Sequence, residues 1–251
     1  MDEINVMGIT IKRNGSPESP TSEQPCWYLA NGACEECSCD KCTRGIIVNR
    51  ENGSARDCSC KTEAINRLRA KRAGLPAGKT FETYRTPEPW QRLVKSKALA
   101  FISDKTAKGF YIGGQSGSGK THICSAIAGE MMKRGKTFEP FRWVNQGRTM
   151  KALASEPEYD ETLAKYINAD ILFIDDFLKT ETVADVRLAM QLVDERYNRQ
   201  RTTVISSERT LAEIAKLCDG EGEAIAGRIK EMCGEYCVML SGKEKNQRLK
   251  G

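Results

Sequence analysis

Residues 114 to 121 read Gly114-Gln115-Ser116-Gly117-Ser118-Gly119-Lys120-Thr121. They match the pattern G-x-x-x-x-G-K-[ST] in full and lie between a short apolar stretch and a run of helix-forming residues. Glycines in such a loop let backbone N–H groups point at phosphate oxygens, and the following helix presents its positive N-terminal end to the same anion. The sequence therefore predicts a nucleotide-binding loop, with Lys120 on the β and γ phosphates and the Thr121 hydroxyl on Mg²⁺. The alternative is a chance glycine-rich turn.

A second motif, Ile171-Leu-Phe-Ile-Asp175-Asp176, is an apolar strand that ends in two carboxylates. A phosphate-binding loop needs an acidic partner for its metal, so we expect Asp175 to hold Mg²⁺ directly or through water. Asp176 is then placed to orient or deprotonate the attacking water. Many enzymes of this kind carry Glu at the second position, and the shorter Asp176 predicts slower hydrolysis. An ordinary strand end with helix-capping acids is the alternative.

Two further segments contribute candidate site residues. The stretch 202–209 predicts a strand whose polar end lies beside the γ phosphate, where Ser207 and Glu208 are candidates for sensing the nucleotide; a polar cap on the next helix is the alternative. Arg228 lies in a moderately apolar helical segment and is a candidate arginine finger that reaches a neighbouring subunit's γ phosphate. From spacing alone an ordinary surface arginine is favoured over a finger, because surface arginines are common. His122 is grouped with the nucleotide-binding residues because it follows Thr121, but its side chain has no evident partner and is interpreted as structural.

The remaining pattern predicts an α/β fold with a parallel sheet flanked by helices. Strands are expected at 109–113, 138–144, 171–175 and 202–206, separated by helical segments that include 120–133. An amphipathic helix is expected to begin near Pro87, because its apolar residues recur at helical spacing. These are Trp90, Leu93, Val94, Ala98 and Phe101.

Composition limits the classes of protein that are compatible with the chain. With 251 residues, 39% apolar and 29% charged, the chain has no apolar run long enough to span a bilayer, and its first twenty residues lack a secretory signal. We expect a cytoplasmic protein that has no membrane contact. The net charge of +5 is compatible with nucleic-acid binding without requiring it. The basic segments 67–72 and 243–250 are candidates for phosphate contact or for solvated charged faces.

Seven of the eleven cysteines lie between residues 26 and 60. In a reducing compartment such spacing favours metal binding over disulfides, and zinc prefers two close pairs of thiolates separated by a loop. The favoured zinc ligands are Cys39, Cys42, Cys58 and Cys60, with Cys34 and Cys37 as competitors or members of a second site. An iron–sulfur cluster and a module without metal are the alternatives. The dispersed Cys124, Cys218, Cys233 and Cys237 are expected to be packing residues.

The predicted organisation has four parts. Residues 1–25 are polar and without hydrophobic period, which indicates a mobile tail. Residues 26–73 form the cysteine-rich zinc-binding module and a basic helix. Residues 74–86 are expected to be a linker, because Gly74, Pro76 and Gly78 break a helix. Residues 87–251 form the nucleotide-binding core.

Taken together, residues 39–242 resemble the DnaC/DnaI-type replicative helicase loaders of the AAA+ class, especially those of phages and mobile elements. The resemblance rests on the C-x-x-C and C-x-C pairs before a basic linker, GKTH (119–122), LFIDD (172–176), ISSE (205–208) and AIAGRIKEM (224–232). It implies an AAA+ core similar to that of the DnaA initiator, without a helical lid domain. It also implies a DnaB-type helicase partner, contact with single-stranded DNA and a homo-oligomer on the helicase. Arg228 aligns with the finger arginine, whereas Glu208 replaces the nucleotide-sensing Asn of many relatives.

The predicted function is loading of the replicative helicase onto single-stranded DNA with ATP, Mg²⁺ and Zn²⁺ as cofactors. An IstB-type transposition helper shares the core but would not need the zinc module, so the cysteines argue against it. A nucleic-acid-binding adaptor that uses ATP only as an assembly switch is the alternative from another class.

Overall fold

The computed structural model describes residues 3–6, 9–12, 46–48, 53–57, 71, 74–76, 78–134, 136–218 and 220–247. The chain divides into two compact units, Met1–Leu68 and Arg69–Gly251. All six predicted zinc ligands, from Cys34 to Cys60, lie outside the described residues, so the zinc site stays a prediction.

The described residues of the first unit form two short antiparallel pairs of strands. Strand β1 (Glu3–Val6) pairs with β2 (Ile9–Lys12), and β3 (Ile46–Val48) pairs with β4 (Ala55–Asp57). The first pair lies within the stretch that was expected to be a tail without secondary structure. In the sequence on either side of Met7 and Gly8, apolar and polar residues alternate, and this two-residue period is typical of β-strands.

The second unit alternates strands and helices. In chain order its elements are α1 (Pro89–Ser103), β5 (Gly109–Gly114), α2 (Lys120–Lys133), β6 (Phe138–Arg142), α3 (Trp143–Ala152), α4 (Glu158–Asn168), β7 (Ile171–Asp175), α5 (Val183–Asn198), β8 (Thr202–Ser207), α6 (Leu211–Ile214), α7 (Glu221–Cys233) and β9 (Cys237–Leu240). Short 3₁₀ turns occupy Gly234–Tyr236 and Lys243–Lys245.

Strands β5 to β9 of the second unit form one parallel sheet in the order β6-β7-β8-β5-β9. Successive residues of β5 belong to different hydrophobic clusters: Phe110 and Ile112 pack in a cluster with residues of α1 and α2, and Tyr111 packs in a cluster with residues of α5 and α7. Because side chains alternate along a strand, the two clusters cover opposite faces of the sheet. The predicted α/β fold with a parallel sheet flanked by helices is confirmed.

Local chemistry fixes several helix starts. Helix α1 begins with Pro89 at its first position, and a reciprocal capping box joins Glu88 and Gln91. Helix α5 begins with a capping box between Thr182 and Asp185, in which each side chain accepts from the backbone N–H of the other residue.

Three details differ from the expectations. The strand expected at 138–144 ends at Arg142, because Trp143 begins α3 and packs edge-on against Phe177 in the core. Strand β9 was not expected. Phe81 and Tyr84, from the stretch expected to be a linker, are buried in the same cluster as α1 and α2. This part of the segment is therefore packed against the second unit's core.

Candidate functional site

The phosphate-binding loop connects the end of β5 to the start of α2. Its glycines Gly114, Gly117 and Gly119 all have positive φ, a conformation that residues with a Cβ rarely adopt. At Gly114 a Cβ would also collide with the Leu240 carbonyl oxygen, which accepts a 2.7 Å hydrogen bond from the backbone N–H of Gln115. Strand β9 therefore approaches the loop closely and anchors its first turn.

One hydrogen bond within the loop and one from the C-terminal segment hold the rest of the loop. The Ser118 hydroxyl donates to the Gln115 carbonyl at 2.7 Å, and the backbone N–H of Gln247 donates to the Gly117 carbonyl at 3.0 Å. The Ser118 side chain is buried, and its hydrogen bond to Gln115 supports the loop. The resulting concave turn ahead of a helix N-terminus fits a phosphate chain.

Lys120 lies at the first position of α2 and is 93% buried as a residue, with 7% of its surface exposed. Its ammonium donates to the carbonyl oxygens of Gly114 at 2.9 Å and Gln115 at 2.8 Å. Burial lowers the pKa of Lys120, and nearby carboxylates, Glu208 foremost, oppose that shift. The ammonium group therefore lies across the loop, where a rotation of the side chain would bring it to the phosphate oxygens.

The candidate Mg²⁺ ligands meet across the sheet. The Thr121 hydroxyl donates to Oδ1 of Asp175 at 3.0 Å. The Ser206 hydroxyl, at the end of β8, donates to the same carboxylate oxygen. Mg²⁺ prefers oxygen ligands and is commonly bound by one or two protein oxygens together with phosphates and water. The hydroxyl and carboxylate present here fit that ion.

Asp176 follows directly in a turn with φ of 55°. Its backbone N–H donates to the Ser206 hydroxyl at 3.3 Å, and its Oδ2 lies 3.2 Å from Nζ of Lys179. The same ammonium lies 3.7 Å from Oε1 of Glu208. The structure therefore brings Asp175, Asp176 and Glu208 together at one end of the sheet.

Glu208 faces the phosphate-binding loop. Burial acts to raise the pKa of its carboxyl, but the hydrogen bond with Ser116 and the charges of Lys179 and Lys120 lower that pKa overall. Its neighbour Ser207 is directed elsewhere: its hydroxyl donates to the Phe177 carbonyl at 2.8 Å and accepts from the backbone N–H of Arg209 at 3.0 Å. Of the two sensing candidates, Glu208 is the one whose carboxyl group is acted on by Ser116 and Lys120 of the loop.

His122 has partners that sequence reasoning missed. Its Nε2 lies 3.0 Å from the Thr80 carbonyl and 3.2 Å from the Thr83 hydroxyl, and its ring meets Tyr84 edge-on at 5.2 Å between centroids. Burial lowers the pKa of His122. The side chain fastens the segment 80–84 to the first turn of α2, which agrees with its interpretation as structural.

Arg228 lies on α7 with about 30% of its side chain exposed. Its Nε is 2.5 Å from Oδ1 of Asp194 on α5, and its Nη1 is near the Ala224 carbonyl and the Met190 sulfur. None of these contacts belongs to the phosphate-binding loop of the same chain. The assignment of Arg228 as a finger toward a neighbouring copy stays a prediction.

Sequence reasoning also missed Ser206, which binds Asp175, and Lys179, which joins Asp176 to Glu208. The sequence indicates only that Ser206 is a polar residue near the end of a strand. Lys179 carries one usable signal in the sequence, a cation three residues after the candidate catalytic carboxylate Asp176.

With this geometry established, the family can be assigned. The family model described as IstB-like ATP binding protein matches residues 42–250. The chain belongs to the IstB-like ATP-binding family. Both ATPase interpretations considered from the sequence, the loader and the transposition helper, share this core, so family membership shows nucleotide binding without choosing between them.

Two curated relatives and one solved structure refine the comparison for this IstB-like protein. It is 31% identical to the phage-like element PBSX protein XkdC of Bacillus subtilis (strain 168), over 55% of this chain and 53% of the relative. It is 28% identical to the replicative helicase loader DnaC of Escherichia coli (strain K12), over 60% of this chain and 62% of the relative. The chain thus spans between half and two thirds of these relatives.

The solved structure is a crystal structure of the DnaC helicase loader. It superimposes with a TM-score of 0.57 at 22% identity, covering 68% of this chain and 98% of that one. At this identity the likeness shows the fold, an α/β core whose parallel sheet is flanked by helices. Within the described residues, no helix has the length and apolar character needed to cross a bilayer.

Proposed function

We propose that this IstB-like protein hydrolyses Mg-ATP in order to load a replicative helicase onto single-stranded DNA during replication initiation. The observation that carries the ATPase part is the junction of Thr121, Asp175 and Ser206 beside a glycine loop held open for phosphate. The loader part is supported by relatives that carry that name. A cytoplasmic location follows from this function.

The residues divide the work of hydrolysis. Lys120 leaves the Gly114 and Gln115 carbonyls and binds the β and γ phosphates, while loop N–H groups surround them. Thr121 and Asp175 hold Mg²⁺, which neutralises charge on the phosphates when bound. Asp176 orients the attacking water or accepts its proton.

A neighbouring copy completes the site in this proposal. Arg228 supplies positive charge to the γ phosphate of the adjacent subunit, as arginine fingers do. For that role the guanidinium exchanges Asp194 for phosphate, so assembly on the helicase and hydrolysis are linked.

The cysteine-rich module supplies helicase contact and a structural Zn²⁺ held by Cys39, Cys42, Cys58 and Cys60. Replacing Cys58 by Ser tests that ligand set through metal content alone. We expect loss of about one zinc per chain, since structural sites are four-coordinate. Unchanged zinc content would mean that the ligand set is wrong.

The name of the matching family model favours one other function, that of a transposition helper. Both functions use the same nucleotide site, so ATP binding does not separate them. Capture of a helicase does, because a transposition helper has no use for that partner.

The deciding experiment is a pull-down of the replicative helicase from the same cell or phage by the full chain, with ATP, Mg²⁺ and Zn²⁺. We expect capture by the parent protein and its loss in Lys120→Ala, which should also abolish ATP binding. Failure of the parent to capture helicase would sink the loader proposal. Binding of ATP without turnover, even with DNA and helicase present, would favour an adaptor that uses ATP as an assembly switch.

A further inference from the structure

Lys179 occupies an unusual position between two carboxylates at the candidate hydrolytic site. Its ammonium lies 3.2 Å from Oδ2 of Asp176 and 3.7 Å from Oε1 of Glu208. Asp176 follows β7, and Glu208 follows β8. One cation thus connects the ends of two neighbouring strands beside the phosphate-binding loop.

The backbone that carries Lys179 is fixed by its surroundings. Asp176 and Leu178 both have positive φ, a conformation that side chains with a Cβ adopt only when neighbouring contacts enforce it. The Phe177 N–H donates to the Ser206 carbonyl, and the Phe177 and Leu178 carbonyls accept from Ser207 and Arg209. The turn is therefore tied to the end of β8, and Lys179 projects from a built support.

Glu208 creates the need for such a cation. Ser116 of the loop and the charge of Lys120 both act on its carboxyl group, so Glu208 lies beside the loop that is predicted to bind phosphate. A carboxylate repels a phosphate at short range, whereas a neighbouring ammonium offsets that repulsion. The charges of both carboxylates in turn raise the pKa of Lys179 despite its partial burial, so the side chain stays cationic.

We propose that Lys179 is a positioning residue for ATP hydrolysis, holding the carboxylate of Asp176 toward the attacking water while it neutralises Glu208 beside the γ phosphate. Lys179, Asp176 and Glu208 act as one unit in this inference, which rests on the proposed ATPase function. Lys179 touches neither phosphate nor water itself; it fixes the direction of the group that does. The fixed direction is what a short Asp at this position requires, because its reach leaves little freedom.

The alternative to a positioning role is an exposed ion pair that contributes nothing to hydrolysis. About 41% of the Lys179 side chain is exposed, and pairs of this kind often have no measurable effect. The two interpretations differ in what they predict for turnover, so kinetics rather than stability separates them.

The experiment compares Lys179→Ala, Lys179→Arg and Lys165→Ala in the full chain. Lys165 is a matched control, since its ammonium pairs with Glu139 at 3.0 Å and it is likewise exposed. We expect Lys179→Ala to lower kcat about tenfold or more, because a small misplacement of a catalytic group costs that much or greater. Affinity for a fluorescent ATP analogue should change by less than about threefold, since phosphate binding is left to the loop. Lys179→Arg should recover most of the rate, and Lys165→Ala should match the parent.

A second pair of variants tests the link to Glu208. In a double-mutant cycle, Lys179→Ala should cost less in a Glu208→Gln background than in the parent, because the carboxylate to be neutralised is gone. If the two substitutions had strictly multiplicative effects on kcat, Glu208 would not act together with Lys179.

The outcomes separate this inference from the proposed function. A kcat for Lys179→Ala within about twofold of the parent would overturn the positioning role while Lys120-dependent hydrolysis stands. An equal loss of nucleotide affinity and of kcat would also overturn it, because Lys179 would then be a phosphate ligand. Parent hydrolysis that survives Lys120→Ala would place the activity outside this site and defeat both. Helicase capture by Lys179→Ala in ATP is expected to remain.

Discussion

The Thr121 hydroxyl donates a 3.0 Å hydrogen bond to Oδ1 of Asp175, which connects the first turn of α2 to the end of β7. Helix α2 follows strand β5, and in the sheet β8 lies between β5 and β7. The Ser206 hydroxyl at the end of β8 reaches the same oxygen from that middle position. The site is therefore assembled from three adjacent strand ends, and a change in the middle strand should alter the carboxylate on its neighbour.

The first prediction concerns Ser206→Ala. The substitution removes a donor to the Asp175 carboxylate and an acceptor for the backbone N–H of Asp176, so the carboxylate of Asp175 and the backbone of Asp176 each lose a hydrogen bond. We expect Mg²⁺-dependent ATP hydrolysis to fall about 10- to 100-fold, the usual cost of removing a hydrogen bond to a metal-binding side chain. Raising the Mg²⁺ concentration should recover part of the rate.

Ser125→Ala is the matched control for this substitution. Ser125 is also buried, but its hydroxyl donates to the Thr121 carbonyl within α2. Its removal should leave the Mg²⁺ dependence of hydrolysis unchanged. The same Mg²⁺ dependence in both variants would contradict the role given to Ser206.

The second prediction concerns His122→Ala and the segment 80–84. The change removes the hydrogen bonds with Thr80 and Thr83 and the edge-on contact with Tyr84. We expect the free energy of unfolding to fall by about 1–2 kcal/mol, the sum of a hydrogen bond and an aromatic contact. Urea unfolding measures the loss, and protease cleavage within 78–84 should become faster.

His122→Gln serves as the control, because an amide keeps a hydrogen bond to Thr80 while it loses the ring contact. Its stability should lie between that of the parent and that of His122→Ala. Equal protease resistance in all three proteins would show that His122 does not hold the segment.

The predictable and unpredictable parts of the molecule separate by the range of the interactions involved. Helix α2 and strand β7 have the bounds expected from the sequence, because glycine signals and apolar runs are local. Trp143 lies within the strand expected at 138–144, yet it begins α3 and packs against Phe177, a residue 34 positions later in the chain. Sequence reasoning missed strand β9, whose partner among the described strands is β5, far earlier in the chain.

The site shows the same division. The residues of the phosphate-binding loop and the two aspartates follow from spacing that mechanism requires. The partners of His122, the bridging position of Lys179 and the support by Ser206 depend on which strand lies in the middle of the sheet. That order is a property of the whole sheet, and no single segment of the sequence expresses it.

The third prediction is a pH dependence of stability through Asp104. Hydrogen bonds from the Thr106 hydroxyl and N–H, and from Tyr236, lower the pKa of its carboxyl from 3.8 to about 2. Because the folded pKa lies below the unfolded one, its stabilisation is present above about pH 4 and is lost as pH falls toward 2. We expect Asp104→Asn to have a lower Tm than the parent at pH 6 and a smaller deficit near pH 2. A deficit that is constant over this range would contradict the assignment.

The fourth prediction concerns Arg196, whose buried guanidinium closes the C-terminal end of α4. It donates to the carbonyls of Tyr166 at 2.7 Å and of Ile167 and Ala169 at 2.9 Å, and its Nε donates to the Thr203 hydroxyl at 2.9 Å. Arg196→Met fills the space but leaves these acceptors buried without that donor. We expect a loss of about 3–5 kcal/mol in the free energy of unfolding by urea.

Arg199→Met, one turn later on an exposed face, is the matched control and should cost less than about 1 kcal/mol, as exposed ion pairs do. Arg196→Lys should recover little, because an ammonium cannot reproduce the planar fork that serves α4 and β8 together. If Arg196→Met and Arg199→Met unfolded at the same urea concentration, the carbonyl acceptors of α4 would not depend on Arg196. Thr203 and Ser206 both belong to strand β8. The free energy of unfolding and the rate of Mg²⁺-dependent hydrolysis should therefore both be measured on each Arg196 variant.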